Sequence, residues 1–256
     1  MNGQGRQGTF AEEFSRNGYV LVPGLVTPAQ VAALRHTLFT TPERDPEPNP
    51  LTLSTMRFAS NLFYGSETLR DFLCSQSVVA LTTALLGPDV WVRWDQAVWK
   101  GHGAPEFPWH QDNGYTGLPG MHLQLWVALT EMNETNGGLF VAPGGHTELA
   151  PHEQVGNHVV MPTPRSVKEI RAQPGDVVLF SSFLPHSTSL NSSGAERLAY
   201  VAEFLPLSEA DLSVAPPHFV VARHGRPAPS FEDLGARWRA DGDGPDRGCR
   251  TDQSSC

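Results

Sequence analysis

The order of hydrophobic and polar positions divides the chain into a helical first third and a strand-rich remainder. The segment that starts at residue 18 reads GYVLVPGLVTPAQVAALRHTLF, which predicts a short strand, a turn and a helix with Thr27 as N-cap and Pro28 as its first residue. A second helix is predicted from about 66 to 86, where Gly87 ends it. Four prolines between 41 and 50 predict a surface loop or lid there.

Short β-rich runs, separated by glycine, proline and asparagine turns, follow the helical part. They lie at about 90–100, 122–130, 138–142, 158–161, 177–182 and 197–205. Helices followed by many short strands predict an all-β core with flanking helices, in the double-stranded β-helix (jelly roll, cupin-like) barrel arrangement. We expect a single domain over residues 1–232 and a polar, mobile tail over 233–256.

The predicted strand HLQLWVALT has two unlike faces, because side chains alternate along a strand. One face carries Leu123, Leu125, Val127 and Leu129, and the other carries His122, Gln124, Trp126, Ala128 and Thr130. We expect the apolar face to pack on the helices and the mixed face to line a cavity. The same alternation in RLAYVAEFL places three residues on one face: Arg197, Ala199 and Val201. Both strands are therefore predicted to border a pocket.

Two separate segments supply a candidate metal site. His110 and Asp112 are separated by one residue, so at a strand end they can face the same ion. His186 directly follows an apolar strand and is the third candidate ligand. Two imidazoles and one carboxylate form the facial triad of non-haem Fe(II) oxygenases, which leaves three coordination positions open. The pattern alone is weak, because ten histidines often produce such spacings, and seven of the others are expected to be structural.

Arg197 strengthens this hypothesis, because it follows His186 on the next predicted strand. A guanidinium that faces a cavity is costly to bury unless it is paired, and its planar fork fits a carboxylate. Arg197 is therefore a candidate anchor for a carboxylate ligand. The alternative is an ordinary strand arginine paired with Glu203 or Asp176, which would be favoured if Arg197 stood alone.

Composition and charge exclude several classes of partner. The chain has eighteen basic and twenty-seven acidic residues, a net charge of -9, and no basic run, so nucleic acid is not expected to bind. No stretch approaches the roughly 20 apolar residues needed to cross a bilayer, and the start MNGQGRQGTF lacks the apolar core of a signal peptide. We expect a cytoplasmic protein without membrane contact or an obligate protein partner. Three widely spaced cysteines argue against a disulfide framework and a thiolate metal site.

Several blocks of the sequence together resemble the phytanoyl-CoA dioxygenase family of Fe(II)- and 2-oxoglutarate-dependent oxygenases. The first ligand motif of that family is similar to WHQD at 109–112. Its later blocks are similar to LWVALTEMNETNGGLFVAPGGH at 125–146 and GDVVLFSSFLPHSTSLNSSGAERLA at 175–199. The resemblance runs from about 14 to 206. It implies Fe(II) as cofactor, 2-oxoglutarate and O2 as cosubstrates, and oxidation of an unactivated C–H bond with release of succinate and CO2.

The resemblance also assigns roles to individual residues. His110, Asp112 and His186 would bind iron, and Arg197 would pair with the distal carboxylate of 2-oxoglutarate. Three more positions match cosubstrate contacts of the family, with barrel packing as the alternative: Thr188, Gln96 and Trp126. Halogenases of this superfamily have a small residue in place of the carboxylate. Because Asp112 is present, hydroxylation or oxidative cyclisation is favoured over halogenation.

The expected substrate is a small molecule, by analogy with family members that tailor secondary metabolites such as antibiotics. Loops 41–50 and 101–108 are candidate lids. Candidates for the substrate wall are Trp99, Trp109, Gln111, Tyr115 and His122. Two alternatives stay open at this point. One is a cupin-like metal-dependent lyase or isomerase, which would not need Arg197, and the other is a noncatalytic barrel that binds a metabolite.

Overall fold

The computed structural model describes residues 4–42, 55–209 and 211–236. The helices in these ranges are α1 (Gln4–Asn17), α2 (Pro28–Thr40), α3 (Glu67–Leu73), α4 (Gln76–Leu86) and α5 (Asn113–Thr116), with a 3-10 turn at Leu62–Tyr64. The strands are β1 (Tyr19–Val22), β2 (Met56–Ser60), β3 (Val90–Lys100), β4 (Phe107–His110), β5 (Leu123–Ala128), β6 (Leu139–Val141), β7 (Glu153–Val155), β8 (His158–Val160), β9 (Lys168–Ile170), β10 (Val177–Ser181), β11 (His186–Thr188), β12 (Arg197–Pro206), β13 (His218–Arg223) and β14 (Arg226–Glu232).

Two antiparallel sheets form the core of the protein. The larger sheet has the strand order β1-β10-β5-β12-β3-β13-β14, with β2 also paired to β3, and the smaller has the order β4-β11-β6-β9. Trp126 and Ala199 of the larger sheet share one buried cluster with Leu139 and Val141 of the smaller sheet. The two sheets therefore face each other across a common interior. This arrangement confirms the predicted double-stranded β-helix.

The helices cover the other face of the larger sheet. Leu34 of α2 and Leu73 of α3 lie in a buried cluster with Leu125 of β5. Trp126 and Ala128 of the same strand face the opposite side and lie in the cluster between the sheets. The prediction of two unlike faces for this strand is confirmed, and it determines which side chains of β5 are available to a site inside the barrel.

The predicted helix over 66–86 is divided into α3 and α4, which meet at a bend of 52°. The backbone N–H of Cys74 donates to the carbonyl of Arg70 and ends α3, and Ser75 has the extended backbone of an N-cap for α4. No glycine or proline marks this break in the sequence; the preference of serine for N-caps is the remaining signal. Within the described ranges, no single helix is long and apolar enough to cross a membrane.

Several elements were not predicted from the sequence. α1 has a polar, glycine-containing sequence, and β7, β9 and β11 have three residues each, too few to show an alternation. Residues 43–50 of the predicted lid, and 237–256 of the predicted tail, lie outside the described residues. Leu234 is buried, so the packed part of the chain continues past residue 232.

Candidate active site

Three candidate ligands meet inside the barrel, at one end of the smaller sheet. β4 and β11 pair antiparallel, and their register sets His110 directly opposite His186. Asp112 follows β4 by two residues; its Oδ1 lies 3.5 Å from Nε2 of His110 and 3.7 Å from Nε2 of His186. The possible ligand atoms of the three residues all lie within 4.8 Å of one another. These distances fit one shared metal ion.

Hydrogen bonds orient both imidazoles toward that point. Nδ1 of His110 donates to the carbonyl of Pro108 at 2.8 Å, and Nδ1 of His186 donates to the carbonyl of Leu184 at 2.9 Å. Because a carbonyl only accepts, each Nδ1 carries the proton, and the lone pair lies on Nε2. The side chain of Asp112 makes no capping hydrogen bond to α5, so its carboxylate is also available to a cation.

The protonation states of these groups suit metal binding. Burial, followed by the nearby His110, lowers the pKa of His186 to about 4. Burial by itself would raise the pKa of Asp112, but the neighbouring His186 and His110 more than offset that effect and hold the pKa below its usual value. At neutral pH the site therefore offers a neutral His186 and an ionised carboxylate, the forms that ligate metals.

Arg197 is buried in the same cavity without a partner for most of its guanidinium. Its Nε donates to the carbonyl of Gly137 at 3.0 Å, while Nη1 and Nη2 have no hydrogen-bond partner. Its Cζ lies 5.3 Å from the ring centroid of Trp126. Burial lowers the pKa of Arg197 to about 9. The alternative in which Arg197 pairs with Glu203 or Asp176 is wrong, because those carboxylates bond elsewhere.

A second buried cation, Lys100, lies beside Arg197. The two residues are directly opposite each other in the pairing of β3 and β12. Nζ of Lys100 donates to Oγ1 of Thr188 at 2.9 Å and to the carbonyl of Ser189 at 2.6 Å. Burial, followed by the charge of Arg197, lowers the pKa of Lys100 to about 7. Like charges at opposed strand positions are unfavourable, so this pair indicates a site built for an anion.

The three candidate ligands and Arg197 line one cavity, which we call the inner chamber and which spans about 520 Å³, part of it open solvent. Its other lining residues are Met56, Phe58, Trp94, Gln96, Val98, Phe107, Gln124, Trp126, Phe180, Thr188 and Val201. Lys100 is not one of these lining residues, but it bonds to Thr188, which is. The chamber thus places a metal-ligand set and an unpaired cation in a mostly apolar enclosure, where charge–charge interactions are stronger than in water.

A second cavity, the outer chamber, adjoins the first and encloses about 740 Å³, part of it open solvent. Its lining residues are Phe58, Arg93, Trp94, Gln96, Phe107, Asp112, Tyr115, Thr116 and Glu203. Asp112 and Gln96 belong to both chambers. A molecule in the outer chamber therefore lies next to the candidate metal ligands, which is where a substrate is expected.

A buried ionic cluster, formed by Arg93, Glu203, Asp211 and His122, supports the wall of the outer chamber. Nε of Arg93 donates to Asp211 at 2.6 Å, and its Nη1 lies 3.4 Å from Oε1 of Glu203. Nδ1 of His122 lies 2.8 Å from the same Glu203 oxygen. Burial would raise the pKa of Glu203, but the charges of His122 and Arg93 outweigh it and lower that pKa.

The structure brings some of the sequence-predicted residues to the chambers. Gln96, Thr188 and Trp126 line the inner chamber, and Tyr115 lines the outer chamber. The side chain of Gln96 also donates to Oγ of Ser60 at 3.0 Å.

The other four candidates for the substrate wall do not line either chamber, so the structure corrects those predictions. Trp99 lies on the helix side of the larger sheet, where Cζ of Arg57 is 3.8 Å from its ring centroid. Gln111 is buried, and its amide bonds the backbone of Glu148, Phe183 and Ala150.

His122 and Trp109 also line neither chamber. His122 is buried against Glu203. The side chain of Trp109 lines neither chamber, and its backbone carbonyl accepts from the N–H of Met161 at 2.8 Å.

Sequence reasoning missed Lys100 and Arg93, and it considered Glu203 as a partner of Arg197 and not as part of a cavity wall. Alternation from Gln96 along β3 leads to Lys100, and alternation from Arg197 along β12 leads to Glu203, so a longer count on each strand would have found both. Arg93 has no such signal, because its side chain reaches the outer chamber at an irregularity of β3 between Val92 and Trp94.

With this geometry in view, comparison with known proteins gives the family. The model of the family described as Phytanoyl-CoA dioxygenase (PhyH) matches residues 14–199, and the chain belongs to this family. A 2-aminoethylphosphonate dioxygenase of the uncultured bacterium HF130_AEPn_1 is 26% identical over 147 residues, which are 56% of each chain. An ectoine dioxygenase of Streptomyces coelicolor is 29% identical over 53% of this chain and 49% of its own. The chain thus spans about half the length of these curated relatives.

Solved structures share the fold over most of the chain. The epimerase SnoN, in complex with Fe3+, alpha ketoglutarate and nogalamycin RO, superposes with a TM-score of 0.70 at 20% identity, over 90% of this chain and 99% of its own. EvdO2 from Micromonospora carbonacea var. aurantiaca, complexed with 2-oxoglutarate, gives a TM-score of 0.64 at 20% identity, over 77% and 90% of the two chains. At these identities the likeness establishes the fold alone.

Proposed function

We propose that the protein is an Fe(II)- and 2-oxoglutarate-dependent oxygenase that acts on a small molecule. The observation that carries this proposal is one chamber lined by both a His-Asp-His set and a buried arginine, Arg197, whose two terminal nitrogens have no hydrogen-bond partner. A lyase or isomerase needs only the metal ligands. The unpaired guanidinium of Arg197, beside Lys100, requires in addition a carboxylate that arrives with a ligand.

The donor set fits ferrous iron. Nε2 of His110, Nε2 of His186 and a carboxylate oxygen of Asp112 would hold the ion and leave positions for the cosubstrate. When bound, iron with 2-oxoglutarate and O2 supplies the oxidising power to break an unactivated C–H bond, with succinate and CO2 as products. Because both Nδ1 atoms are bonded to backbone carbonyls, the imidazoles keep their orientation when the ion is exchanged.

The remaining side chains of the inner chamber would bind and orient the cosubstrate. Arg197 offers two terminal nitrogens to the distal carboxylate of 2-oxoglutarate, and Thr188, whose hydroxyl accepts from Lys100, offers a second point of contact. Trp126 packs beside the guanidinium and limits the directions it can take. The apolar wall, which includes Phe180, excludes water from the reacting groups.

Membership in the family and the names of the relatives support this assignment, since the two relatives above are dioxygenases of small molecules. Structural neighbours named for the biosynthesis of nogalamycin favour a role in secondary metabolism. The residues up to Leu234 would form one catalytic domain, and a cytoplasmic location stays a prediction.

Formation of succinate tests the proposal without knowledge of the substrate. Purified protein is incubated with Fe(II), ascorbate, 2-oxoglutarate and O2, and slow uncoupled turnover is followed. We expect succinate from the wild type, a loss of at least about 100-fold in His110→Ala, and wild-type turnover in His36→Ala, whose imidazole is exposed on α2. Equal succinate formation by His110→Ala would contradict the metal assignment.

Two further outcomes would replace the proposal with its alternatives. Metal binding without any binding of 2-oxoglutarate, measured by the absorption band of the anaerobic Fe(II) complex, would favour a lyase or isomerase. Binding of both without succinate formation, also in the presence of candidate substrates, would favour a noncatalytic barrel.

A further inference from the structure

The outer chamber has a recognition group of its own, which none of the metal or cosubstrate roles uses. β3 contains a bulge at this point: Val92 pairs with Phe204 and Trp94 pairs with Glu203, which leaves Arg93 as the extra residue. In a regular strand, neighbouring side chains face opposite sides of the sheet. The bulge removes that constraint, and Arg93 and Trp94 both line the outer chamber.

Arg93 is held firmly and still offers donors to the chamber. Asp211 accepts from Nε and Glu203 accepts from Nη1, and these are the acceptors of Arg93 within the part of the chain that the structure describes. Nη2 is not used by either contact. The side chain of Arg93 is 14% exposed, against 1% for Glu203, so Arg93 is the charged group of this cluster that a ligand can reach.

The charges around Arg93 decide what kind of group it can bind. Two carboxylates, Asp211 and Glu203, offset its single positive charge. If His122 is protonated the cluster is neutral, and if His122 is neutral the cluster is negative, so an anion gains no net attraction. A cation is not attracted either. Both oxygens of Glu203 already have partners, at His122 and Gln124, and the exposed charge of the cluster is that of Arg93. An uncharged oxygen acceptor is the group that fits.

Aromatic side chains surround this donor. Phe58 and Phe107 meet edge to face with ring centroids 6.2 Å apart. Trp94 lines both chambers, and Tyr115, 42% exposed, stands at the rim. Aromatic walls of this kind favour flat or ring-shaped apolar bodies. Since the chamber also includes Asp112, a ring held there lies beside the metal ligands.

We propose that the outer chamber is a substrate site for an uncharged ring compound, whose carbonyl or hydroxyl oxygen accepts a hydrogen bond from Arg93 while its ring packs between Trp94, Phe58 and Phe107. This inference deepens the proposed function and rests on it for the statement that the bound ring is the molecule oxidised. The selection of an uncharged oxygen by Arg93 rests on the outer chamber alone.

Three bicyclic probes of similar size test the selection: 1-tetralone, which is a neutral ketone, 1-naphthoate, an anion, and 1-naphthylmethylammonium, a cation. Equilibrium dialysis under argon measures the binding of each probe to protein loaded with Fe(II) and 2-oxoglutarate. We expect the ketone to bind at least about tenfold more tightly than either charged probe, because each charged group would be buried without a matching partner.

Variants of the chamber test the role of Arg93. Arg93→Met should weaken ketone binding about tenfold, as expected for the loss of a charge-assisted hydrogen bond, and Arg93→Lys should lie between the two. Arg223→Met is the matched control, since Arg223 lies on the neighbouring strand β13 and pairs with Glu232. If a thermal melt shows that Arg93→Met does not fold, Trp94→Leu is used in its place. This variant leaves the ionic cluster intact and should also weaken ketone binding.

The outcomes separate this inference from the proposed function. Three results would overturn this inference: tighter binding of a charged probe, no binding of any probe, or equal ketone binding by wild type and Arg93→Met. Every sample is also scanned for the absorption band of the Fe(II)–2-oxoglutarate complex before a probe is added. If the wild type lacks that band, the proposed function fails, and dialysis of the metal-free protein alone then decides whether the outer chamber selects the ketone.

Discussion

A partly exposed arginine and a fully buried arginine on adjacent strands show opposite solutions to the same electrostatic problem. Arg93 on β3 has two carboxylate partners in the protein, Asp211 and Glu203. Arg197 on β12 has a single carbonyl partner for its Nε, and both of its terminal nitrogens are unpaired although the side chain is fully buried. An arginine that is already paired supports the structure, whereas an arginine buried without an anion is arranged for a ligand that brings one.

The surroundings of each arginine strengthen the contrast. Directly opposite Arg197 in the sheet is another cation, Lys100, which adds to the charge of Arg197 and does not offset it. The charge of Arg93 is offset by two carboxylates. The inner chamber should therefore bind an anion at a cost to the stability of the empty protein, and the outer chamber should contribute stability and reject anions. Four substitutions test this comparison.

Arg197→Met should have the largest effect. Removing one partner from a buried ion pair costs about 3–5 kcal/mol, so we expect 2-oxoglutarate to bind at least about 100-fold more weakly. The free energy of unfolding without cosubstrate should instead rise by about 1 kcal/mol or more, since an uncompensated buried charge is replaced by an apolar side chain. Anaerobic absorption titration and urea unfolding measure the two quantities. A variant that loses stability together with affinity would show that Arg197 is a structural arginine.

Arg93→Met should have the opposite effect on stability. It leaves Glu203 and Asp211 buried with fewer partners, and we expect a loss of about 2–4 kcal/mol in the free energy of unfolding, reduced from the fully buried case because the guanidinium is partly exposed. The double variant, Arg93→Met with Glu203→Gln, should recover part of this loss. Urea unfolding of the two single variants and the double variant gives the coupling energy. Additive losses would mean that the two side chains do not stabilise each other.

Lys100→Met should change how 2-oxoglutarate binding depends on pH. Burial and Arg197 lower the pKa of Lys100 to about 7, so above that pH the amine is mostly neutral in the free protein. A bound dianion favours the ammonium form, so binding takes up a proton, and affinity should fall about three- to tenfold between pH 7 and pH 8. Calorimetry in buffers of different ionisation heat measures this uptake. It should vanish in Lys100→Met, and its persistence there would assign the proton to another group.

Gly137→Ala should give the smallest effect. Gly137 has a φ of +89°, a Cβ there would lie 2.9 Å from Cδ of Lys100, and its carbonyl accepts from Arg197. We expect a loss of about 1–2 kcal/mol in stability and a severalfold weaker affinity for 2-oxoglutarate. Gly156→Ala is the control, because Gly156 has a φ of +58° and open space around it. Equal losses in both variants, without a change in affinity, would mean that backbone strain alone is responsible.

Alternation and order along the chain were enough to predict much of this molecule. Leu125 and Trp126 face opposite sides of β5 as the pattern requires, because a half-buried strand must separate its side chains by two-residue steps. Thr27 caps α2 and forms a capping box with Gln30, as residue preference predicts. The break between α3 and α4 was not predictable from glycine or proline, because its local signal is a serine, Ser75, at the N-cap of α4.

The sequence by itself determined the barrel, the faces of its strands and the grouping of His110, Asp112, His186 and Arg197 as candidates. Those features follow from periodicity and from the chemistry of the side chains, which act locally. The tertiary structure alone decided the partners. It set His110 opposite His186, left Arg197 unpaired beside Lys100, and moved Trp99 to the helix side. It also turned Arg93 into the outer chamber, because strand register and bulges arise from contacts between distant segments.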